Sequence, residues 1–160
     1  MKIYILLGGF FGPDGWVTSA GFLGLASQLK PFGTVKTYTW DRYLDALGDI
    51  RKLPFNEKVV VAGYSGGGSR ATWLANDGKA VPIDLMVLYD PSPPWQMKNL
   101  AGTAVKKCIQ YHNTSPFFFG LGGGRTVGPQ VTTVDIAENH MLVQGDQGLH
   151  KQTIDAIKAL

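Results

Sequence analysis

The sequence predicts an α/β protein built on a mainly parallel sheet of about six strands, a reading that rests on three observations. Strand-like and helix-like segments alternate along the whole chain. Several strand-like segments are continuous apolar runs, the pattern of strands covered on both faces. The clearest of them, "KVVVAGY" (58–64), breaks directly into a glycine-rich turn that opens a helical segment. A chain of 160 residues with 44% hydrophobic content can bury one core, so residues 1–160 read as a single domain.

The elements follow in order. "KIYILLG" (2–8) is an apolar run of strand length. After a glycine-rich turn, Phe22, Leu25, Ala26 and Leu29 recur at helical spacing, and Pro31 with Gly33 ends the segment. "TVKTYTW" (34–40) is β-branched and aromatic and reads as a second strand. Asp41 is placed to cap a helix carrying Leu44, Leu47 and Ile50, which stops before Pro54. "KVVVAGY" is the third strand, and "SRATWLAND" continues as a helix with Asn76, Asp77 and Gly78 as its stop. "IDLMVLYD" (83–90) is a fourth strand running into the proline loop "PSPPW". A weaker helix is expected over 96–105, then strands over "KKCIQYH" (106–112) and "QVTTVDIA" (130–137), separated by the loop "SPFFFGLGGGRTVG". Leu149, Ile154, Ile157 and Leu160 share one side of a final helix.

Composition narrows the function. The 15 basic and 12 acidic residues are dispersed and give a net charge of +3, so no basic block tracks a phosphate backbone and nucleic acid is not an expected partner. The single cysteine, Cys108, forms no internal disulfide and sits in an apolar-flanked run, which predicts a buried, inert thiol. No apolar run reaches the ~18 residues of a membrane span. "MKIYILLGGFF" resembles a short signal peptide, but Gly8 and Gly9 interrupt it and "GPDGW" is turn chemistry, so a first strand and a cytoplasmic protein are expected.

"GYSGG" (63–67) has the form G-x-S-x-G between a strand and a helix, the setting of a nucleophile elbow. There a serine occupies a strained turn that lifts its hydroxyl above the sheet. Residues two positions either side must be small, a demand that Gly63 and Gly67 meet. The helix that follows points free N–H groups and its positive dipole end at the serine, so the backbone N–H of Gly66 is placed to stabilise an oxyanion. Phosphate cradling is the competing use of a glycine-rich strand-to-helix turn. It is disfavoured here by the missing P-loop lysine and by glycines that do not fall as G-x-G-x-x-G.

With the elbow in place, the chain resembles a small member of the α/β-hydrolase superfamily, in the manner of lipases, cutinases and esterases. The resemblance is carried by "VVVAGYSGGG", "YILLGGF" before the oxyanion loop, "VLYDP" for a strand ending in an acid, and "DIAENH" for a strand followed by histidine. It implies a three-layer α/β-hydrolase-like sandwich with no large cap domain. The family's chain order of serine, acid, histidine implies Ser65 as nucleophile, Asp90 as orienting acid and His140 as general base. His112 at a strand end and His150 in the first turn of the last helix compete for the base, with an exposed position expected for His150.

The acid is open between two residues. Many family members place it after the strand that here ends in Asn113, where no carboxylate stands. Asp90 ends the preceding strand. Asp135 lies only five residues before His140, roughly 16 Å of extended chain, and meets that imidazole only if the chain folds sharply back.

The second oxyanion donor is expected from the turn "LGGFFGPDG", at the backbone N–H of Phe10, with Phe11 close behind. Phe11, Trp16, Trp95 and Phe118 are candidates for the substrate channel. The run Phe117–Phe119 reads either as core or as a lid or acyl pocket, and Arg70 and Arg125 either as anion-binding groups or as plain surface arginines. The implied activity is hydrolysis of a small-molecule carboxylic ester or thioester through an acyl-enzyme. No metal and no organic cofactor is expected, since no histidine–carboxylate cluster has zinc spacing. The alternative is a binding protein that keeps the fold without turnover.

Overall fold

The computed structural model describes residues 1–9, 19–114 and 122–160. The elements are β1 (Lys2–Leu7), α1 (Ala20–Leu29), β2 (Thr34–Thr39), α2 (Tyr43–Ile50), β3 (Val59–Tyr64), α3 (Gly66–Asp77), β4 (Leu85–Tyr89), β5 (Cys108–Asn113), β6 (Val131–Ile136), α4 (His140–Val143) and α5 (Gln147–Lys158). The strands form one parallel sheet in the order β2-β1-β3-β4-β5-β6.

The apolar runs explain the layering. Every residue of β3 and β4 is buried, as strands covered on both faces must be. Successive residues of β1 alternate between the faces. Ile3, Ile5 and Leu7 pack with Phe22, Leu25 and Leu29 of α1 and with Leu149 and Ile157 of α5. Tyr4 and Leu6 pack with Leu47 and Ile50 of α2 and Leu74 of α3. The edge strands β2 and β6, rich in threonine, are only partly buried. From β1 the chain moves outward to β2, and from β3 it moves the other way to β4. Between the carboxyl ends of β1 and β3 lies the crevice where open α/β sheets bind ligands.

A row of tyrosines locks the C-terminal helices to this frame. Tyr64, Tyr89 and Tyr111 stand in register on β3, β4 and β5. The Tyr89 and Tyr111 rings meet edge to face at 4.9 Å. The Tyr89 hydroxyl donates to Leu149 O at 3.0 Å and lies 2.6 Å from Thr153 Oγ1, pinning α5. Burial pushes the phenol pKa values of Tyr64 and Tyr89 up, so both stay neutral hydrogen-bonding groups.

Three local expectations are corrected. Asp41 does not cap α2: a 3₁₀ turn over Trp40–Arg42 moves the helix start, and Arg42 at the N-cap makes no side-chain cap bond. Residues 96–105 are not a helix beyond a short 3₁₀ turn at Pro94–Gln96. Side chains take the backbone groups that a helix would use: Gln130 Nε2 donates to Leu100 O, Thr126 Oγ1 to Lys98 O, and Lys98 N to Thr72 Oγ1. His150 is buried, not exposed.

The His150 ring lies between α5 and α1, with Nε2 2.7 Å from Gln144 O and Nδ1 3.4 Å from Gln28 Nε2. Nε2 must therefore carry the proton, and Nδ1 accepts from the Gln28 amide. Burial lowers the imidazole pKa below its ordinary value, against smaller raising effects from the Gln144 carbonyl and Asp146. A group with a depressed folded pKa binds fewer protons folded than unfolded, so stability falls as the pH drops below the unfolded value of about 6.5. His150→Gln removes this term. Its melting temperature should fall less than that of the wild type between pH 7.5 and 5.5, with the difference bounded by about 1.4 kcal/mol per pH unit for one proton. Equal falls would show that His150 is not held neutral.

Candidate active site

Three strands deliver three side chains to the same edge of the sheet. Ser65 follows β3 and precedes α3, at φ 53° and ψ −122°, a sparsely populated conformation for a residue with a side chain. The glycines around it explain how the chain tolerates this turn. A Cβ on Gly67 would collide with Leu6 O, and one on Gly63 with Gly67 O. The backbones of β1, β3 and α3 thus touch. Ser65 N donates to Tyr89 O at 3.0 Å, and Ser65 O accepts from Ser92 N at 3.0 Å, fixing the turn to the end of β4.

Asp90 follows β4 directly, also at positive φ (38°), with its N–H on Tyr111 O at 2.9 Å. Its carboxylate is surrounded by donors. Gly123 N reaches Oδ1 at 2.6 Å, Asn113 Nδ2 reaches Oδ2 at 3.3 Å, and His140 Nδ1 lies 2.6 Å from Oδ2. Gly122 sits at φ +83°, and a Cβ there would collide with the same carboxylate. A glycine is what lets this loop close over Asp90.

His140 opens α4, a helix start that sequence periodicity does not predict and that Asn139 caps by accepting from Met141 N at 2.8 Å. Tyr64 positions the imidazole twice: the rings stack at 5.3 Å, and the phenol donates to His140 O at 3.0 Å. His140 Nε2 then lies 3.0 Å from Ser65 Oγ. Exposure falls from 8% at Ser65 to 2% at His140 and 0% at Asp90, so the serine is the end of this line that a ligand can reach.

The other candidates are placed elsewhere. Asp135 on β6 pairs with Arg125 at 3.0 Å and lies 3.4 Å from His112 Nδ1 of β5, while Asp90 is the carboxylate at His140. His150 belongs to the α5 packing described above. The Cys108 thiol is fully buried, and burial pushes its pKa up to about 12. Phe10, Phe11, Trp16 and Phe118 lie outside the described residues.

Gly66 and Trp95 meet in a cleft of about 220 Å³ beside Ser65, together with Gly9, Trp40, Arg70 and Ser92. Trp95 is 76% exposed, so its ring forms an open wall and not part of the core. Two participants escaped the sequence reading. Trp40 follows β2, and its place at the carboxyl end of the strand beside β1 was the available signal. Asn113 ends β5, where a carboxylate was sought; it instead donates to Asp90 from the neighbouring strand.

No protein-family model and no curated protein sequence matches the chain. Solved structures do resemble it. A protein from Xanthomonas campestris pv. campestris, described as a candidate hydrolase of the alpha/beta superfamily, is 16% identical with a TM-score of 0.62, over 99% of each chain. Est1E from Butyrivibrio proteoclasticus is 13% identical with a TM-score of 0.62, over 99% of this chain and 88% of the other. The catalytic core domain of acetyl xylan esterase from Trichoderma reesei is 13% identical with a TM-score of 0.52, over 99% and 97%. The chain has the α/β-hydrolase fold. Among the described residues no helix is long and apolar enough to cross a membrane.

The contact between Gly67 and Leu6 O yields a direct test. Gly67→Val places three carbons where β1 and α3 have no gap, an overpacking that costs about 1–3 kcal/mol or more. The melting temperature should drop by roughly 2–4 °C per kcal/mol. An unchanged value would mean that β1 and α3 do not approach this closely.

Proposed function

We propose that the protein is a serine hydrolase that cleaves a small-molecule carboxylic ester, or a thioester, through an acyl-enzyme on Ser65. One observation carries the reading: the hydrogen-bonded line from Ser65 Oγ through His140 to Asp90, with spacings of 3.0 and 2.6 Å, next to a cleft that Gly66 lines. Nδ1 of the neutral imidazole donates to the Asp90 carboxylate, which leaves Nε2 as the acceptor for the serine proton. The esterases among the structural neighbours add support for an ester as the substrate class.

In the first half-reaction Ser65 Oγ bonds to the ester carbon while its proton passes to Nε2. The carbonyl oxygen becomes an oxyanion, met by the Gly66 N–H at the positive end of α3 and by a second donor that we assign to Phe10 N–H. Collapse breaks the bond to the alkoxide or thiolate, which leaves with the proton from Nε2. Water then gives a proton to Nε2 and attacks the acyl carbon, and the second collapse returns that proton to Ser65 and releases the acid. Asp90 keeps the imidazole in one tautomer and stabilises its charged form. Three donors, from His140, Gly123 and Asn113, hold the buried carboxylate still and satisfy its oxygens.

Ser65→Ala should lower ester hydrolysis by about 10⁶ and abolish labelling by a fluorophosphonate, with unchanged circular dichroism. Turnover within tenfold of the wild type in a folded variant would refute the nucleophile. Loss of labelling also separates an activated serine from a binding protein of the same fold.

Asp90→Asn should lower kcat by about 10⁴, with KM little changed. Asp135→Asn, which only releases Arg125 and His112, should cost far less. The reverse ranking in well-folded variants would move the orienting role to Asp135.

A further inference from the structure

The structure assigns a charge preference to the cleft: we infer that it takes an ester whose acyl part bears a carboxylate, and that Arg70 selects it. This rests on the proposed role of Ser65. Arg70 lies four residues after Gly66 on α3, hence on the same helix face and just over one turn, about 6 Å, further along. Trp40 stands beside Gly66, and its ring centroid lies 5.4 Å from the Arg70 guanidinium carbon. All three residues line the cleft.

Three rings hold the guanidinium. Its central carbon lies 4.6 Å from the Trp73 centroid, 5.4 Å from Trp40 and 5.7 Å from Tyr43. Aromatic faces attract a cation but supply no compensating charge. The other arginines each meet an oxygen: Arg42 bonds Asp45 at 2.6 Å, Arg125 bonds Asp135 at 3.0 Å, and Arg51 bonds Asp77 O at 3.0 Å. Among the described residues Arg70 makes no such bond, so its planar fork of donors is left for a ligand.

The surroundings add to its charge. Among the described residues no acidic side chain lines the cleft. Lys98 Nζ lies 4.4 Å from the Trp73 ring, and the positive end of α3 faces the same space. A cleft lined by Trp40, Trp95 and one guanidinium suits a planar carboxylate, which a single arginine can bind bidentately. An acyl carbon at Ser65 with a carboxylate about one helical turn away fits this arrangement.

The test compares mono-4-nitrophenyl adipate with 4-nitrophenyl hexanoate, which share leaving group and acyl length and differ in charge. The ratio of their kcat/KM values, adipate over hexanoate, should fall about tenfold or more in Arg70→Gln, as expected for loss of a charge-assisted bond, and less in Arg70→Lys. A ratio within twofold of the wild type in a folded Arg70→Gln overturns the inference. A readout without turnover runs beside it: benzoate and its neutral counterpart benzamide are titrated against tryptophan fluorescence. The wild type should bind benzoate more tightly, and Arg70→Gln should erase the difference. No benzoate preference in the wild type overturns the inference even if the variant fails to fold. If neither ester is cleaved but the benzoate preference is present and depends on Arg70, the serine-hydrolase reading fails and the anion site stands.

Discussion

The backbone of α3 meets the end of β1 with no room for a side chain between them, and the site depends on that contact. Gly67 lies against Leu6 O, and Gly63 against Gly67 O. The chain can pass from β3 into α3 only through a turn so tight that Ser65 takes a positive φ. Such a conformation costs on the order of 1–3 kcal/mol and persists only where surrounding structure imposes it. Here the imposition comes from the fully buried β3 and β4 and from Ala71, Leu74 and Ala75 on the core-facing side of α3. The same geometry that strains the serine brings the start of α3 to the cleft.

A second constraint runs through the tyrosines. Core positions at strand ends usually hold aliphatic residues, whose packing is non-directional. Tyr64 and Tyr89 bring a hydroxyl to a defined backbone atom, His140 O and Leu149 O respectively. The C-terminal helices are therefore held at fixed height on the sheet, which a sliding apolar contact would not achieve. His140 stands at the start of α4, so its distance to Ser65 is set by the sheet itself. Arg70 extends the pattern to the other side of the turn, where among the described residues its guanidinium meets three aromatic rings and no carboxylate.

Much of the fold was legible because local patterns carry it. The apolar runs of β1, β3 and β4, the helical spacing of Phe22, Leu25 and Leu29, and the glycines about Ser65 each follow from rules that act over a few residues. Failures came where a distant group overrode the local pattern. Residues 96–105 have helical composition, but Gln130 and Thr126 claim their carbonyls. His150 has the surface position that its helix turn suggests only until α1 packs over it with Gln28.

The order of the six strands, their parallel sheet and the elbow were thus settled by the chain's own sequence, since period, turn chemistry and glycine spacing are short-range properties. Tertiary structure alone decided which carboxylate meets His140. Asp90 and Asp135 both stand near the carboxyl ends of strands, but Asp135 is drawn to Arg125 and His112, while Gly123, Asn113 and His140 gather on Asp90. The residues that gather there lie 23, 33 and 50 positions away along the chain. No local rule spans such separations; the sheet, by placing β4 beside β5, does.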